Sequence, residues 1–156
     1  MENLNFTTVT VIDSTGKQNI LENIGDPNSI EWICIENTKY GFKFLLHKKE
    51  PNEVLNHPMS VERAKATHRD GRLGDRFEWI SIYNAIHTAG LNDILKRVGG
   101  DTIKDEWYWT EEFDEFASNA NYAWIFNGDA YGALSYNGRY YASTARVFRA
   151  FSKESF

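Results

Sequence analysis

The chain has 156 residues, of which 42% are hydrophobic and 15% aromatic, and its formal net charge is −5 at pH 7. This length supports one domain with its own core, and the acidic balance argues against a nucleic-acid partner, which would need a basic face. Cys34 is the only cysteine, so the chain cannot form an internal disulfide. The four histidines are scattered without metal-ligand spacing, so we expect no metal and no cofactor.

The N-terminal third of the chain predicts three strands. Apolar and threonine residues alternate over Phe6 to Ile12, and the polar segment Asp13 to Gly16 is typical of a turn. Further apolar runs predict strands over Ile30 to Ile35 and over Phe42 to Leu46. Residues 48–59, which contain two prolines, are expected to form a loop.

Helical patterns follow in the middle of the chain. Ser60 is a suitable N-cap for a short helix that ends near residue 68. Apolar spacing predicts a second helix from Arg76 to about Thr88, and a further helical piece over residues 91–98 that two glycines terminate. Residues 107–151 then predict short strands joined by glycine and asparagine turns.

The sequence contains no linker, repeat or low-complexity tract, so residues 1–156 are expected to form a single domain. Its first residues lack the basic and apolar regions of a signal peptide, and no apolar run reaches transmembrane length. We therefore expect cytoplasmic synthesis and no direct membrane insertion. A component of a phage virion assembled in the cytoplasm would show the same features.

The C-terminal part has an unusual composition. Lys, Glu, Gln and Met occupy 25 of the 119 positions outside residues 116–152 and none of the 37 positions inside. A buried β-core would exclude long charged side chains, but it would not favour the asparagines of this stretch, which are costly to bury unpaired. Tyrosine together with asparagine is typical of binding loops, where rigid rings combine with adaptable hydrogen bonding.

A genetic process predicts the same composition. When the adenines of an asparagine codon are randomised, the codon can encode Asn, Tyr, Asp, Ser, Ala or Gly among others, but never Lys, Glu, Gln, Met or Trp. Residues 116–152 are rich in the first group and lack most of the second. Burial and codon randomisation are both open as causes at this point.

Four short motifs stand in a characteristic order over about residues 58–151. They are Gly71-Arg-Leu-Gly-Asp-Arg-Phe-Glu-Trp79, Gly99-Gly100, Tyr108-Trp-Thr-Glu-Glu112 and Ala145-Arg-Val-Phe-Arg-Ala-Phe151. With these motifs the chain resembles the bacterial and phage C-type lectin-like domains that carry a G-x-R-L-P-T-x-x-E-W element, among them the variable proteins of diversity-generating retroelements. Gly74-Asp75 stands where that element has Pro-Thr, and Asp75 can still cap the helix that follows.

The resemblance implies an α+β fold in which two helices flank a twisted, mostly antiparallel sheet. The first and last strands, near residues 6–12 and 145–151, would pair, and the loop- and strand-rich C-terminal segments would face a ligand. Large apolar residues would form a supporting frame, and Arg146 and Arg149 would pair with carboxylates. The expected frame residues are Trp109, Trp124, Phe126, Phe148 and Phe151.

The expected function is non-enzymatic ligand binding by a hypervariable surface, at about residues 116–145, that adenine mutagenesis diversifies. The ligand would be a protein or another cell-surface target, and assembly into a homo-oligomer or a virion is compatible with this function. Ten residues are expected to contact the ligand from one exposed face. They are Asn119, Asn121, Tyr122, Tyr131, Tyr136, Asn137, Arg139, Tyr140, Tyr141 and Ser143.

Two alternatives share the general fold. The first is a carbohydrate-binding or structural lectin-like module with a fixed sequence; Glu50-Pro51-Asn52 spells a tripeptide of calcium-dependent lectins, but it stands early in the chain with few oxygen ligands nearby. The second is a relative of the formylglycine-generating enzymes. Their chemistry needs reactive thiols, whereas Cys34 stands alone in an apolar strand. The acidic residues between positions 106 and 115 are expected to form a solvated loop.

Overall fold

The computed structural model describes residues 5–51, 53–113, 122–128 and 132–151, with all their side chains except those of Phe113 and Tyr136. The described part is an α+β protein with three α-helices and mostly antiparallel sheets. The chain forms two compact units, of which the first comprises residues 1–49, 81–102 and 150–156 and the second residues 50–80 and 103–149. That residues 1–156 form a single C-type lectin-like domain stays a prediction.

The first unit is built on an antiparallel sheet. Its strands are β1 (Thr7–Ile12), β2 (Gln18–Asn19), β3 (Trp32–Asn37) and β4 (Phe42–His47), in the order β2-β1-β3-β4. The three strands predicted near the N-terminus are therefore confirmed, with ends shifted by at most two residues. β3 is buried along most of its length because it lies between β1 and β4.

The predicted pairing of the first and last strands is wrong. In the described residues β1 pairs with β3 along most of its length and with β2 at Val11 and Ile12, and it does not pair with residues 145–151. The last strand, β8 (Phe148–Ala150), enters the first unit at Ala150 and follows β4 in the sheet order. Apolar pairs such as Val9 opposite Ile35 fix β1 against β3 instead.

The helix α1 (His57–Thr67) begins three residues earlier than predicted. Its N-cap is Asn56, whose side chain accepts a hydrogen bond from the amide of Met59 at 3.0 Å. Ser60 is not the cap, because it lies inside the helix and its hydroxyl donates back to the carbonyl of Asn56. Pro58 is tolerated since the first turn of a helix leaves its amides without partners in any case.

The helix α2 (Arg76–Thr88) has the predicted bounds, and Asp75 caps it as expected. The Asp75 carboxylate accepts from the amide of Glu78 at 2.7 Å, while the Glu78 carboxylate accepts from the amide of Asp75 at 3.0 Å. This reciprocal arrangement is a capping box. The same Glu78 receives both terminal nitrogens of Arg72, at 2.6 and 2.7 Å. The predicted helical piece near residues 91–98 is α3 (Leu91–Arg97).

The second unit contains an antiparallel sheet of β5 (Trp107–Phe113), β6 (Tyr122–Asn127) and β7 (Leu134–Gly138) in that order. Two of the acidic residues that were expected to form a solvated loop, Glu111 and Glu112, therefore belong to a strand, while Asp114 and Glu115 lie outside the described residues. Beneath the sheet, the ring of Trp79 stacks on Phe126 at 5.4 Å between centroids and meets Tyr108 at 4.7 Å. These fully buried rings form the core of the unit.

The predicted frame is confirmed at three of its five positions. Trp109, Phe126 and Phe148 are fully buried, whereas Trp124 and Phe151 are only half-buried. The ring of Trp124 faces the guanidinium of Arg76 at 4.7 Å, so it keeps an amphipathic position at the edge of the core. The expectation that Trp124 is a core residue is corrected accordingly.

A side chain at Gly74 would meet a steric obstacle. A Cβ atom at this position would lie 2.5 Å from the ring of Phe148, so neither alanine nor proline fits unless that ring moves. The neighbouring backbone is held from both sides, because Arg72 and Phe148 exchange a pair of amide-to-carbonyl hydrogen bonds. Gly74 thus lets the closing segment, residues 143–149, pack directly on the loop before α2.

The closing segment is also anchored by a buried ion pair. Arg146 is fully buried, and its guanidinium donates to the carboxylate of Glu50 at 3.0 Å. The hydroxyl of Tyr108 donates to the same carboxylate at 2.7 Å, and Lys104 approaches its other oxygen at 3.3 Å. Burial, together with the Glu50 charge, raises the pKa of Tyr108, which keeps its hydroxyl protonated as a donor. The expected carboxylate partner of Arg146 is therefore Glu50.

Arg149 lies in the same closing segment and is also buried. Burial lowers the pKa of its guanidinium, and the negative charge of Asp70 opposes this effect. A hydrogen-bonded carboxylate for Arg149 stays a prediction.

In the described ranges no helix is long and apolar enough to cross a membrane.

Arg146→Ala should lower the free energy of unfolding by about 3–5 kcal/mol, because it leaves the buried Glu50 carboxylate with only the half-exposed Lys104 as its cation. The matched control is Arg63→Ala, which removes a solvent-exposed pair with Glu53 and should cost less than about 1 kcal/mol. Urea denaturation of both variants measures the difference. Equal losses in the two variants would show that the buried pair does not stabilise this unit.

Candidate ligand-binding surface

Five of the ten predicted ligand residues are described with their side chains and are not buried. We call these five residues the display surface: Tyr122, Asn137, Arg139, Tyr140 and Tyr141. Tyr140 and Tyr141 are the most exposed of them, at 75% and 69%. Asn119, Asn121, Tyr131 and the side chain of Tyr136 lie outside the described part of the chain.

The pairing of β6 with β7 brings most of the display surface to one end of the sheet. Tyr122 stands directly opposite Gly138, and Asn137 and Arg139 are the neighbours of that glycine. A Cβ atom on Gly138 would lie 2.9 Å from the ring of Tyr141, so this ring packs over the bare glycine. Since directly opposite residues project to the same face, Tyr122 and Tyr141 lie on the same side of the sheet.

The ten residues do not all share one face, and this expectation is corrected. Asn137 stands opposite Ala123, one position from the Tyr122–Gly138 pair. Because successive residues of a strand point to opposite faces, Asn137 projects to the side away from Tyr122. The display surface therefore covers both faces at the end of the β6–β7 hairpin, and the turn that carries Arg139 and Tyr140 joins them.

Ser143 is not exposed, contrary to expectation. It retains 7% of its accessible surface, and its backbone exchanges two hydrogen bonds with Leu55, at 3.0 and 3.1 Å. This bridge fixes Ser143 as the first residue of the buried closing segment. A role for Ser143 in ligand binding stays a prediction, and its side chain could contribute only from the floor of the depression described below.

The turn between β7 and the closing segment is held by main-chain atoms. The amide of His57 donates to the carbonyl of Arg139 at 2.8 Å, and the amide of Tyr141 donates to the carbonyl of Gly138 at 3.0 Å. The bridge between Leu55 and Ser143 closes its far end. Because these bonds use no side-chain atom of the turn, the side chains at positions 139–142 can change while the turn keeps its path.

His57 and Trp109 support this turn from below. The ring of His57 is buried, donates from Nε2 to the carbonyl of Thr110 at 2.9 Å, and meets Trp109 edge-on at 5.2 Å. The indole nitrogen of Trp109 donates to the carbonyl of Leu55 at 2.8 Å. Burial lowers the pKa of His57, and the charge of Arg139 acts in the same direction. The neutral ring is therefore the form that fits this site.

A depression of about 400 Å³ opens beside the display surface. One wall comes from residues that precede position 116 in the chain: Val54, Glu106 and Trp107. The rest comes from residues within positions 116–145: Ile125, Asn137, Ala142, Ser143 and Thr144. The strand register explains the grouping, since Trp107 pairs with Asn127 and projects to the same face as Ile125 and Asn137.

Sequence reasoning missed the wall formed by Glu106 and Trp107. Glu106 was assigned to a solvated acidic loop, and Trp107 was given no role. No sequence signal identifies this wall, because the exposure of Trp107, 37% of its surface, is visible only in the structure.

Burial changes abruptly at Ser143. None of the residues at positions 132–142 whose side chains are described is buried, whereas every residue from 143 to 149 is. Both stretches lack Lys, Glu, Gln and Met. Exclusion of long side chains from a core therefore accounts for the closing segment but not for residues 132–142.

Metal-binding and thiol sites are the other kinds of site to consider in the described ranges. Within them no cluster of three or more His, Cys, Asp or Glu side chains could hold a metal ion. Glu50, the first residue of the lectin-like tripeptide, is engaged with Tyr108, Arg146 and Lys104. Cys34 is buried, and burial raises the pKa of its thiol.

Comparison with protein-family models and with curated proteins finds no match to this chain. The resemblance to C-type lectin-like domains accordingly stays a prediction, and the arguments below rest on the geometry of the described residues.

Trp109→Ala should lower the free energy of unfolding by about 3–5 kcal/mol, because it empties a fully buried site and removes one of the two donors to the Leu55 carbonyl. Tyr140→Ala should change it by no more than about 0.5 kcal/mol, since that ring is exposed. Chemical denaturation of the two variants measures the contrast. A tyrosine variant as unstable as the tryptophan variant would mean that the turn belongs to the core.

Acid should destabilise the protein through His57. Its folded-state pKa lies below the unfolded value of about 6.5, so between these two values the unfolded chain binds more protons. The free energy of unfolding contributed by this group therefore falls as the pH drops below about 6.5. In His57→Gln, which retains a donor near Thr110, this part of the pH dependence should disappear.

The control for the pH experiment is His87→Gln, which changes an exposed histidine. Unfolding free energies measured between about pH 5 and pH 8 should retain the wild-type slope in that variant. If His57→Gln also kept the full slope, another group would be responsible for the acid sensitivity.

Proposed function

We propose that this protein is a non-enzymatic ligand-binding protein of the C-type lectin-like class, whose surface at about residues 116–145 is diversified by adenine mutagenesis. Its ligand is a protein or another cell-surface target, as recognition by a phage or by a cell-surface display protein requires. The contact residues are the display surface together with Asn119, Asn121, Tyr131 and Tyr136.

The observation that carries this proposal is the composition of residues 132–142. This stretch is not buried at any position whose side chain is described, yet it lacks Lys, Glu, Gln and Met. Ordinary protein surfaces are rich in lysine and glutamate, so burial gives no reason for their absence here. Randomised adenines in asparagine codons do give a reason, because such codons cannot encode these four residues.

The scaffold supports tolerance of such change. Main-chain hydrogen bonds from His57 and Leu55 hold the turn at Arg139 and at Ser143, and they are independent of the side chains between those residues. The exposed rings of Tyr122, Tyr140 and Tyr141 supply large contact area with few rotatable bonds. Variation is thus directed to positions that contribute little to folding and much to binding.

The proposal excludes catalysis by the family's thiol chemistry. Cys34 is enclosed in the first unit, and burial raises the pKa of its thiol, which disfavours the reactive thiolate. The described histidine nearest to the display surface, His57, is buried and hydrogen-bonded to a carbonyl group rather than directed at solvent.

A pair of matched libraries tests the proposal. The first randomises the five residues of the display surface with codons in which only adenines are replaced, and selection against unrelated target proteins should yield folded binders. The second randomises five exposed residues of α1, namely Glu62, Arg63, Lys65, Ala66 and Thr67, and should yield folded variants with few binders. Tyrosine and arginine should dominate the selected energetic anchors, at roughly 2 kcal/mol or more each.

The two libraries separate the alternatives. Misfolding throughout the first library would contradict the proposal, as would binders that arise equally from both. The surrounding DNA gives an independent check: a near-repeat of the segment encoding about residues 108–151, different only at adenines and next to a reverse-transcriptase gene, is expected. A fixed lectin-like module would have no such repeat.

A further inference from the structure

The depression beside the display surface combines a fixed wall with a variable one. Glu106 and Trp107 precede residues 116–145, so diversification of that region leaves them unchanged. Asn137 and Ala142 form the opposite wall and lie inside the region. Every variant would therefore present the same carboxylate and the same indole, next to side chains that differ.

The fixed wall has the chemistry of a cation site. Glu106 is exposed, and one of its carboxylate oxygens accepts a hydrogen bond from the hydroxyl of Thr144 at 2.7 Å. A carboxylate has about four acceptor positions, so this bond leaves capacity for a further donor. Trp107, with 37% of its surface exposed, adds the aromatic face that attracts cations most strongly.

The nearest lysine does not fill this role. Lys104 directs its ammonium group to Glu50, at 3.3 Å from the carboxylate, and thus belongs to the buried ion pair of the frame. The chain as a whole is acidic, with a net charge of −5, which favours approach of a basic partner.

We infer that this depression is a constant subsite for an arginine side chain of a protein ligand. The planar guanidinium stacks on the indole of Trp107 and donates to the carboxylate of Glu106, while the aliphatic stem lies against the apolar side of the depression at Ile125 and Ala142. This inference rests on the proposed function. It adds that recognition has one fixed requirement, a basic anchor, and that the diversified residues select among targets that meet it.

The experiment uses the whole chain and a defined probe. Nα-acetyl-arginine amide is titrated into isotope-labelled protein, and the indole N–H resonance of Trp107, assigned with Trp107→Phe, is followed by NMR. Nα-acetyl-citrulline amide is the neutral probe of matched shape, and Nα-acetyl-lysine amide tests whether a compact cation suffices. We expect a saturable shift with the arginine probe at least tenfold tighter than with citrulline, as a charge-assisted hydrogen bond provides.

Two matched variants make the result specific. Glu106→Gln keeps an acceptor for the Thr144 hydroxyl but removes the charge, and it should weaken arginine binding about tenfold or more. Asp105→Asn removes the same charge from the exposed neighbouring residue and should leave the affinity within about twofold of the wild type, since a screened surface charge contributes little. Lysine binding as tight as arginine would overturn the assignment to a planar guanidinium.

Equal responses to arginine and citrulline, or equal losses in the two variants, would overturn the inference. The proposed function is tested separately with binders selected from the display-surface library. If those binders keep their targets after Glu106→Gln, the constant subsite is refuted while diversified binding stands. If the arginine probe binds but no library member acquires a target, the subsite stands and the proposed function fails.

Discussion

Arg146 is fully buried in the second unit, and its guanidinium is held by Glu50, which stands 96 positions earlier in the chain. In a medium of low dielectric neither charge can remain without the other, so the pair fixes both segments to which its members belong. Tyr108 donates to the same carboxylate and ties the first strand of the sheet to the pair. The closing segment, which begins at Ser143, is therefore held in one position.

The position of the closing segment also holds the turn at the end of the β6–β7 hairpin. The closing segment begins at the bridge between Ser143 and Leu55, immediately after the exposed turn, and His57 holds the other side of the turn through its amide. The hydrogen bonds that hold the two ends of this turn join main-chain atoms and do not involve the side chains between them. Binding residues on such a turn are preorganised, which lowers the conformational entropy lost on association.

Local features of the fold could be predicted from the sequence, and long-range partners could not. The bounds of α2 followed from the spacing of its apolar residues, and Asp75 was expected to cap it because it stands directly before the first helical residue. The start of α1 was misplaced because Asn56 and Ser60 are both good caps, and only the neighbouring proline favours the earlier one. Strand pairing and the partner of Arg146 depend on contacts that no local pattern encodes. The same limit applies to the depression, because Trp107 and Asn137 meet only through the register of three strands.

The compositional window at residues 116–152 combines two physical causes that the sequence presents as one. From Ser143 to Arg149 every residue is buried, and the cost of desolvation disfavours long polar side chains there. The stretch nevertheless keeps two arginines, and the charge of one of them, Arg146, is compensated by Glu50. From residue 132 to residue 142 no described side chain is buried, so desolvation excludes nothing. Burial therefore does not explain the composition of that exposed stretch. The boundary between this exposed stretch and the closing segment coincides with the bridge at Ser143, the point at which a change of side chain would begin to disturb the core. Positions that can vary at little cost in stability and positions that cannot therefore lie next to each other in one polypeptide segment.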